Sequence, residues 1–458
     1  MVFSSILFIL RFLPISLGIY FLTPKKYKNL AILILSLIFY SWGEGKYFLI
    51  MIASIGIDYS VGRGIEKYRE SKKARVGLLC VSIVGNLGIL FFFKYFNFFI
   101  DNINRLFNLA LNHVNITLPL GISFYTFQTM SYSIDVFRGK VESEKNIIDF
   151  GAFVCLFPQL IAGPIVKYTD ISKEIKERKV DKNQIEEGIE LFILGIGMKV
   201  LIANNIGMLW SEVETLGFAN ISTPLAWMGV LAYGFQIYFD FSGYSLMAIG
   251  LGKILGFNFP RNFNYPYISR SITEFWRRWH ITLGSWFREY VYIPLGGNRL
   301  SKLRVTLNLF VVWFLTGFWH GASYNFIIWG LFFFILLYIE KAGLLKFLDR
   351  NRILSHIYVL FFLLIGWALF AVTDLVQLKE LIIRLFDFKG GIDYLYYIRN
   401  YGITLIIAAV FSTPLIVNLY KKMIKNNTVN TVILLLIFFI SVAYLVDATY
   451  NPFLYFRF

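Results

Sequence analysis

The sequence predicts an all-α, polytopic membrane protein, and three observations support that prediction. Of the 458 residues, 57% are hydrophobic and only 16% are charged, whereas soluble domains average about 25% charged residues. Apolar runs of about 20 residues, the length that crosses a bilayer as an α-helix, recur along nearly the whole chain. The basic residues fall in clusters between these runs, as they do in the cytoplasmic loops of helical membrane proteins.

The first apolar run, residues 4–22, is expected to be a retained span. The N-terminus lacks the basic region and the small-residue cleavage site of a secretory signal peptide. Cys80 and Cys155 both lie inside apolar runs without metal-ligand spacing, so we expect them to be structural. Further spans are expected near residues 29–42, 47–62, 76–94, 119–136, 186–208, 224–241, 355–372, 402–420 and 430–447.

The basic clusters predict which loops face the cytoplasm. Residues 43–45 and 211–214 are poor in basic side chains and are expected outside, and the last span then leaves the tail, residues 451–458, on the extracytoplasmic side. The same distribution explains the net charge of +16 without a nucleic-acid partner. The clusters lie at residues 25–28, 63–75, 167–182, 261–304, 341–352 and 421–425.

Two apolar segments are not expected to cross the membrane as single helices. Residues 147–166 have basic flanks on both sides, which predicts a re-entrant segment or a shallow hairpin. Residues 305–339 contain no Asp, Glu, Lys or Arg, and one helix of that length would extend about 52 Å, well beyond a hydrocarbon core of about 30 Å. This second segment is expected to turn back at the motif TGFWHGAS, which places His320 near the tip of a hairpin.

His320 is the strongest candidate for a catalytic residue, because an ionisable group at membrane depth is costly and usually functional. A neutral imidazole is well suited to take a proton from a hydroxyl group near neutral pH. The alternative is a hydrogen-bonded packing residue in a broken helix. His113 and His356 lie near span ends beside polar residues, where a structural role is expected.

Residues 274–294 predict an amphipathic cytoplasmic helix that lies against the membrane. At helical spacing, His280 falls on the face with Trp279 and other aromatic residues, whereas Arg277, Arg278 and Arg288 fall on the opposite face. One interpretation is a plain interfacial helix. The other is the wall of a cytoplasmic funnel whose arginines attract an anionic donor, such as a nucleotide thioester or a phosphopantetheine carrier.

Two further features carry polar groups in apolar surroundings. Asp240 is expected near the end of a span, where it either pairs with a cytoplasmic arginine or contributes to the site. The tail, NPFLYFRF, contains four aromatic residues, of which Tyr455 alone carries a hydroxyl. Tyr455 is either part of an aromatic belt at the membrane interface or a nucleophile. No motif for a P-loop, a serine hydrolase or a zinc site occurs, so no bound cofactor or metal is expected.

Five stretches, which occur in the same order as the family's motifs, resemble the bacterial membrane-bound O-acyltransferase family. The resemblance is to the branch that acetylates alginate and other extracellular polysaccharides. The resemblance spans essentially the whole chain and implies one membrane-embedded domain over 1–458, with its core motifs in 118–330 and an acyl-transfer tail at 451–458. It also implies about 11–13 transmembrane helices, with hairpin segments and a cytoplasmic amphipathic helix that forms a funnel. The stretches are residues 118–139, 157–168, 236–252, 259–299 and 317–330.

The resemblance implies specific roles for the candidate residues. His320 matches the invariant catalytic histidine, His280 matches a second position that is Asn or His across the family, and Tyr455 matches the tyrosine of a C-terminal acyl-transfer motif. We expect contacts with substrate from a set of polar and aromatic residues around these three. The members of that set are Arg277, Arg278, Trp279, Arg288, Trp319 and Asp240.

The implied activity is an acyl relay in the bacterial cytoplasmic membrane. An acetyl group would pass from a cytoplasmic thioester, either acetyl-CoA or a carrier protein, to a separate extracytoplasmic SGNH-type acyltransferase that modifies the polysaccharide. D-alanyl transfer to teichoic acid is the alternative within the family. A membrane transporter or a scaffold without chemistry is the alternative outside it, although no internal repeat of the kind found in transporters is visible.

Overall fold

The structure, a computed structural model, describes residues 2–161, 163–423, 427–447, 450–451 and 454. Across these described residues the regular secondary structure is helical, without a β-strand. This architecture confirms the predicted all-α class. The helices form two compact units, one made of residues Met1–Phe192 and Ser245–Pro260 and the other of Ile193–Tyr244 and Arg261–Phe458. The single domain over 1–458 stays a prediction.

The first ten α-helices precede the long helix that carries Asp240. They are α1 Leu13–Leu22, α2 Lys28–Glu44, α3 Phe48–Lys67, α4 Lys72–Leu90, α5 Phe96–Phe107, α6 Ile122–Phe137, α7 Ile147–Cys155, α8 Phe157–Leu160, α9 Tyr168–Lys176 and α10 Lys182–Gly197. Short 3-10 turns at Lys25–Tyr27 and Gly45–Tyr47 and π-helical stretches at Phe8–Phe12, Phe91–Tyr95 and Met198–Asn204 extend some of them.

The remaining α-helices include the elements that carry both candidate histidines. They are α11 Asn205–Leu216, α12 Thr223–Ile254, α13 Ile272–Arg278, α14 Ile281–Phe287, α15 Lys302–His320, α16 Tyr324–Ile339, α17 Leu345–Leu348, α18 Arg352–Ala371, α19 Leu375–Phe386, α20 Asp393–Phe411, α21 Leu415–Met423 and α22 Asn427–Asp447. A 3-10 turn lies at Pro266–Ile268, and π-helical stretches lie at Arg288–Tyr292 and Glu340–Leu344.

Among the described residues, seven helical stretches are long and apolar enough to cross a membrane. They confirm the polytopic prediction. The first of these stretches, Lys25–Lys67, contains both α2 and α3, joined by the turn at Gly45–Tyr47. The number of crossings, predicted as about 11–13, stays a prediction. The seven stretches are Lys25–Lys67, Lys72–Phe107, Lys182–Leu216, Tyr324–Leu348, Arg352–Ala371, Asp393–Phe411 and Asn427–Asp447.

The segment 147–166 does not form one crossing helix, as its flanking charges predicted. Helix α7 has nine residues and ends at Cys155, so it extends only about 14 Å. Leu156 leaves the helical region with φ of −45° and ψ of 103°, and α8 adds only four residues. The broken backbone is buried, because the residues from Phe150 to Phe157 have little exposed surface.

The hairpin predicted within 305–339 is confirmed. Helix α15 ends at His320, a short bend follows, and α16 begins at Tyr324. The two helices touch at their backbones, since a Cβ atom on Gly330 would lie 2.4 Å from the carbonyl oxygen of Trp313 and 3.2 Å from the Cα of Gly317. Small residues permit this close approach of membrane helices. The contact holds the C-terminal end of α15, and therefore His320, against α16.

We predict that Gly330→Ala destabilises the protein by about 1–3 kcal/mol, because overpacking must push α15 away from α16. The midpoint of thermal unfolding of the detergent-purified protein measures this effect. Gly88→Ala is the matched control, since Gly88 lies inside α4 and an added Cβ atom there would meet no neighbouring helix within 4 Å in the described part of the chain. That control should be neutral or slightly stabilising, because alanine favours helices over glycine. Equal midpoints for the two variants would contradict the close packing.

The position of Asp240 differs from the prediction. We expected a span over 224–241 with Asp240 near its end, but α12 continues through the polar sequence to Ile254 and has 32 residues. Asp240 therefore lies in the middle of a helix about 48 Å long. The helix continues because Ser242, Tyr244 and Ser245 are buried inside the protein rather than placed in a loop.

The single amphipathic helix predicted over 274–294 is also wrong in one respect. The chain forms α13 and α14 with a break at Trp279 and His280, and His280 adopts a left-handed conformation with φ of 43°. The predicted division of the faces holds, since His280 and Trp279 are buried whereas Arg277 and Arg288 are exposed. The break turns the histidine inward at the start of α14.

Candidate active site

His320 lies at the last position of α15 and is 6% exposed. The rings of Trp319, Trp329 and Phe370 surround it, each with its centroid 5.1 Å from the imidazole centroid and nearly perpendicular to it. Such edge-to-face contacts fix the orientation of the ring. Apolar walls also strengthen electrostatic interactions inside the site, because they exclude water.

His280 is held by Asn262 through its Nδ1 atom. The Oδ1 atom of Asn262 lies 3.1 Å from His280 Nδ1, 3.3 Å from the backbone N of Thr282 and 3.0 Å from the hydroxyl of Thr282. A backbone N–H can only donate, so the amide oxygen must face this side, and His280 Nδ1 therefore carries a proton. In the neutral ring Nε2 is then the basic nitrogen.

His280 is expected to be neutral at physiological pH. It is outside the seven candidate spans, and burial lowers the pKa of its imidazole to about 3. Its left-handed backbone conformation is uncommon for a residue other than glycine and is typical of functional sites. Neutrality and a fixed tautomer suit a residue that accepts a hydrogen bond at a set position.

Both histidines line one cavity of about 480 Å³. Arg277 and Arg288, which are exposed, line it as well, so the cavity has cationic groups where it reaches the surface and two imidazoles in its buried part. A cationic entrance raises the local concentration of an anionic ligand. The lining includes Thr273, Trp276, Arg277, Trp279, His280, Leu283, Arg288, Trp313, Thr316 and His320.

Glu340 joins α13 and α16, two of the helices that line this cavity. Its carboxylate, at the end of α16, accepts hydrogen bonds from the backbone N of Ile272 at 2.6 Å and of Thr273 at 2.8 Å, and from the Thr273 hydroxyl at 2.6 Å. These amides are the first of α13, where a negative charge is favourable. Helix α13, which carries Arg277, is thereby fixed to the hairpin.

The other predicted site residues lie in different surroundings. Arg278 forms an ion pair with Glu274 at 2.8 Å and donates to the carbonyl of Asn264. Trp319 contacts both histidines, with its ring 6.3 Å from that of His280 and 5.1 Å from that of His320. Asp240 pairs with Lys199 at 2.9 Å, a lysine rather than the arginine that we considered. Tyr455 lies outside the described residues, so its role stays a prediction.

Three residues that the structure places at or near the site were not predicted from the sequence. Asn262 gave no signal of its own, because its role depends on the distant His280 and Thr282. Glu340 directly follows the apolar run 305–339, and its sequence position gave no sign of its partners in α13. Lys199 could have been found, since it is a lone cation inside the apolar run 191–203, and charges in such runs are usually functional.

Comparison with known proteins finds a matching family. The family model of MBOAT, the membrane-bound O-acyltransferase family, matches residues 141–371, a range that includes every residue lining the histidine cavity. The chain belongs to the membrane-bound O-acyltransferase family. It is therefore an acyltransferase and a multi-pass membrane protein, and this membership argues against the transporter and the scaffold.

Three bacterial relatives show which members of the family it resembles. The probable alginate O-acetylase AlgI of Pseudomonas aeruginosa is 43% identical over 85% of this chain and 75% of its own length. The peptidoglycan O-acetyltransferase of Helicobacter pylori is 36% identical over 82% of this chain and 78% of its own length. The teichoic acid D-alanyltransferase of Streptococcus thermophilus is 33% identical over 51% of this chain and 59% of its own length.

Proposed function

We propose that this acyltransferase takes an acetyl group from a cytoplasmic thioester and passes it outward for O-acetylation of an extracytoplasmic polysaccharide. The observation that carries the proposal is the cavity in which exposed Arg277 and Arg288 and buried His280 and His320 are combined. A thioester donor carries phosphate groups on its nucleotide or pantetheine part. Arginine is well suited to hold such groups, while the reactive thioester reaches the histidines.

The chemistry needs one proton carrier and no redox step. His320 takes the proton of the acceptor hydroxyl, the oxygen attacks the thioester carbonyl, and the carbon–sulfur bond breaks. The departing thiolate then takes the proton from the imidazolium, which regenerates neutral His320 and releases the free thiol. In this proposal His280 stays neutral, and its Nε2 accepts a hydrogen bond that orients the acceptor hydroxyl or the thiol.

The proposed first acceptor is the phenol of Tyr455, and the proposed second is the polysaccharide. A tyrosyl acetate would be handed to a separate SGNH-type acyltransferase outside the membrane, which transfers the acetyl group to a sugar hydroxyl and restores the phenol. The resemblance of the tail to an acyl-transfer motif supports this step. The names of the O-acetylating relatives support a polysaccharide as the final acceptor.

Acetylation is favoured over D-alanylation by the extent of the similarity. The relatives named as O-acetylases match more than four fifths of this chain, whereas the named D-alanyltransferase matches about half. We therefore propose acetyl-CoA as the donor, with a carrier-protein thioester as the second candidate.

Purified protein in lipid nanodiscs, mixed with acetyl-CoA labelled in the acetyl group, tests the proposal. We expect label on the protein, removable by hydroxylamine as an ester, and absent with His320→Ala. A parallel reaction with D-alanyl carrier protein tests the alternative donor. Label transferred only from the carrier protein would overturn acetyl-CoA as the donor, and no label from either would overturn the relay.

We predict that the double variant Arg277→Gln with Arg288→Gln raises the KM for acetyl-CoA about tenfold. Each partly exposed charge contributes about 0.7 kcal/mol to binding of an anion, and about 1.4 kcal/mol corresponds to a factor of ten. The kcat should change little, since neither arginine is placed beside His320. Steady-state kinetics over a range of salt concentrations measures the effect. The KM of the wild type should rise steeply with salt, whereas the KM of the double variant should rise less.

Arg304→Gln is the control for this prediction. Arg304 is exposed and belongs to the same basic region of the sequence, yet it does not line the cavity. Its KM should match that of the wild type. If Arg304→Gln raised the KM for acetyl-CoA as much as the double variant does, the general surface charge and not the cavity arginines would be responsible for donor binding.

A further inference from the structure

A buried ion pair joins the π-helical stretch Met198–Asn204 to the middle of α12. The Nζ atom of Lys199 lies 2.9 Å from Oδ1 of Asp240, and the two side chains are 1% and 3% exposed. Lys199 also donates to the Oδ1 atom of Asn204 at 2.6 Å. Gly243 permits this approach, because a Cβ atom there would lie 2.7 Å from the carbonyl oxygen of Gly195.

Two described residues of the tail contact Asp240 and Asn204, the two side chains that bind Lys199. The backbone N of Leu454 donates to Oδ2 of Asp240 at 2.9 Å, and the side chain of Asn204 donates to Oδ1 of Asn451 at 3.1 Å. Leu454 itself is only 5% exposed. The carboxylate of Asp240 therefore binds Lys199 with one oxygen and the backbone of the tail with the other.

Tyr450 provides a second point of attachment just before the tail. Its hydroxyl lies 3.2 Å from the carbonyl oxygen of Gly207, and it accepts from Nε2 of Gln236 at 3.3 Å. Gly207 has no side chain to block Gln236, since a Cβ atom there would lie 2.2 Å from Nε2. Contacts with both α11 and α12 therefore hold the chain at Tyr450.

Stability alone does not explain a buried ion pair at this place. Removing two charges from water costs about as much as their attraction returns, and apolar residues of similar size often serve equally well. An ionisable pair within apolar helices is usually functional. A charged acceptor does form a stronger hydrogen bond with a backbone N–H than a neutral one, which suits the anchoring of a short segment.

The same helix connects this anchor to the cavity. Phe241, the residue after Asp240, packs its ring 4.7 Å from that of His280 in an edge-to-face contact. One turn of α12 thus holds the tail through Asp240 and the buried histidine through Phe241. Tyr455 follows Leu454 directly in the sequence.

We infer that Lys199 and Asp240 are positioning residues that anchor the C-terminal tail at Leu454 for the acyl transfer, beside the turn of α12 that contacts His280. The inference rests on the proposed function for the part that the tail takes in that transfer. The anchor itself rests on the contacts of Leu454 and Asn451. Asp240 thereby receives a role different from the substrate contact that the sequence suggested.

Protection of a cysteine at position 454 tests the anchor without any acyl transfer. The full-length protein, with Cys80→Ser and Cys155→Ser as background, carries Leu454→Cys and is treated in native membranes with N-ethylmaleimide. Lys199→Met with Asp240→Leu removes both charges and the acceptor. Loss of one hydrogen bond to a charged group should raise the labelling rate about tenfold or more.

Two matched variants separate the anchor from general loosening. Lys199→Met with Asp240→Asn also removes both charges but keeps a carbonyl oxygen at position 240, so its labelling should rise less than in the leucine variant. Glu187→Leu with Lys253→Met removes a pair of the same length, 2.9 Å, between α10 and the C-terminal end of α12, and its labelling should equal that of the parent. Equal labelling in all variants, or the same rise in the leucine and asparagine variants, would overturn the anchor.

Acetylation measured in the same set of variants, with Leu454 restored, tests the positioning role. We expect kcat to fall as labelling rises, with the KM for acetyl-CoA unchanged, because the donor cavity is intact. The same variants distinguish failure of Tyr455 as acyl acceptor from failure of the anchor. Normal acetylation in Tyr455→Phe, together with increased labelling in the leucine variant, would overturn Tyr455 as acceptor and leave the anchor standing.

Discussion

Replacing His320 with alanine is expected to lower polysaccharide O-acetylation at least about a hundredfold, since general base catalysis contributes about 10²–10⁴-fold. His320 is buried in the cavity and oriented by three aromatic rings, so its position is fixed by packing. The measurement is acetyl transfer from labelled acetyl-CoA by purified protein, and acetyl content of the polymer in cells with equal protein levels.

His320→Gln distinguishes a proton acceptor from a packing residue. Glutamine fills much of the same space and forms hydrogen bonds, but it takes up no proton near neutral pH. We expect it to be as inactive as the alanine variant, with a normal unfolding midpoint. His113→Ala is the control, because His113 is exposed and paired with Asp101 at 2.7 Å. Substantial activity in His320→Gln would rule out proton transfer by this residue.

Replacing Tyr455 with phenylalanine is expected to abolish acetyl transfer to the polymer without changing the stability of the protein. Phenylalanine keeps the aromatic character of the tail, so a belt at the membrane interface would survive, whereas the nucleophile is lost. A phenol with a pKa of about 10 is deprotonated far more easily than a sugar alcohol and lies closer to a thiol, at about 8.5. A base such as His320 can therefore load the phenol first.

Tyr444→Phe is the matched control for this second prediction. Tyr444 lies near the end of α22, is 48% exposed, and would belong to the same aromatic belt. Loss of the Tyr444 hydroxyl should not change the acetyl content of the polymer, and hydroxylamine-sensitive label should persist on the protein. The carrier hypothesis would fail if Tyr455→Phe acetylated the polymer as well as Tyr444→Phe does.

The hairpin and its histidine were predictable because their signals are local. A run without Asp, Glu, Lys or Arg that is too long for one crossing must turn, and glycines beside His320 mark the turn. The backbone contact between Gly317 and Gly330 was not predictable. It depends on two positions 13 residues apart facing each other, and glycines at many helical positions have no such contact.

The roles of His280 and Asp240 show where sequence periodicity stops being informative. Periodicity placed His280 on the buried face correctly, but it assumed a continuous helix. The break arises because Asn262, 18 residues earlier, binds both the His280 ring and the start of α14. A polar sequence around Asp240 suggested the end of a span, although in the folded chain those polar groups are buried within the protein.

The membrane class, the helical architecture and the buried histidine of the hairpin all follow from the order of the amino acids, because placing a polar group in lipid has a cost that acts residue by residue. Which polar groups meet depends instead on how the helices pack. Asn262 with His280, Glu340 with the first amides of α13, and Lys199 with Asp240 and the tail are all partners distant in the sequence or on separate helices. A buried charge must find a partner, but packing geometry decides which partner is within reach.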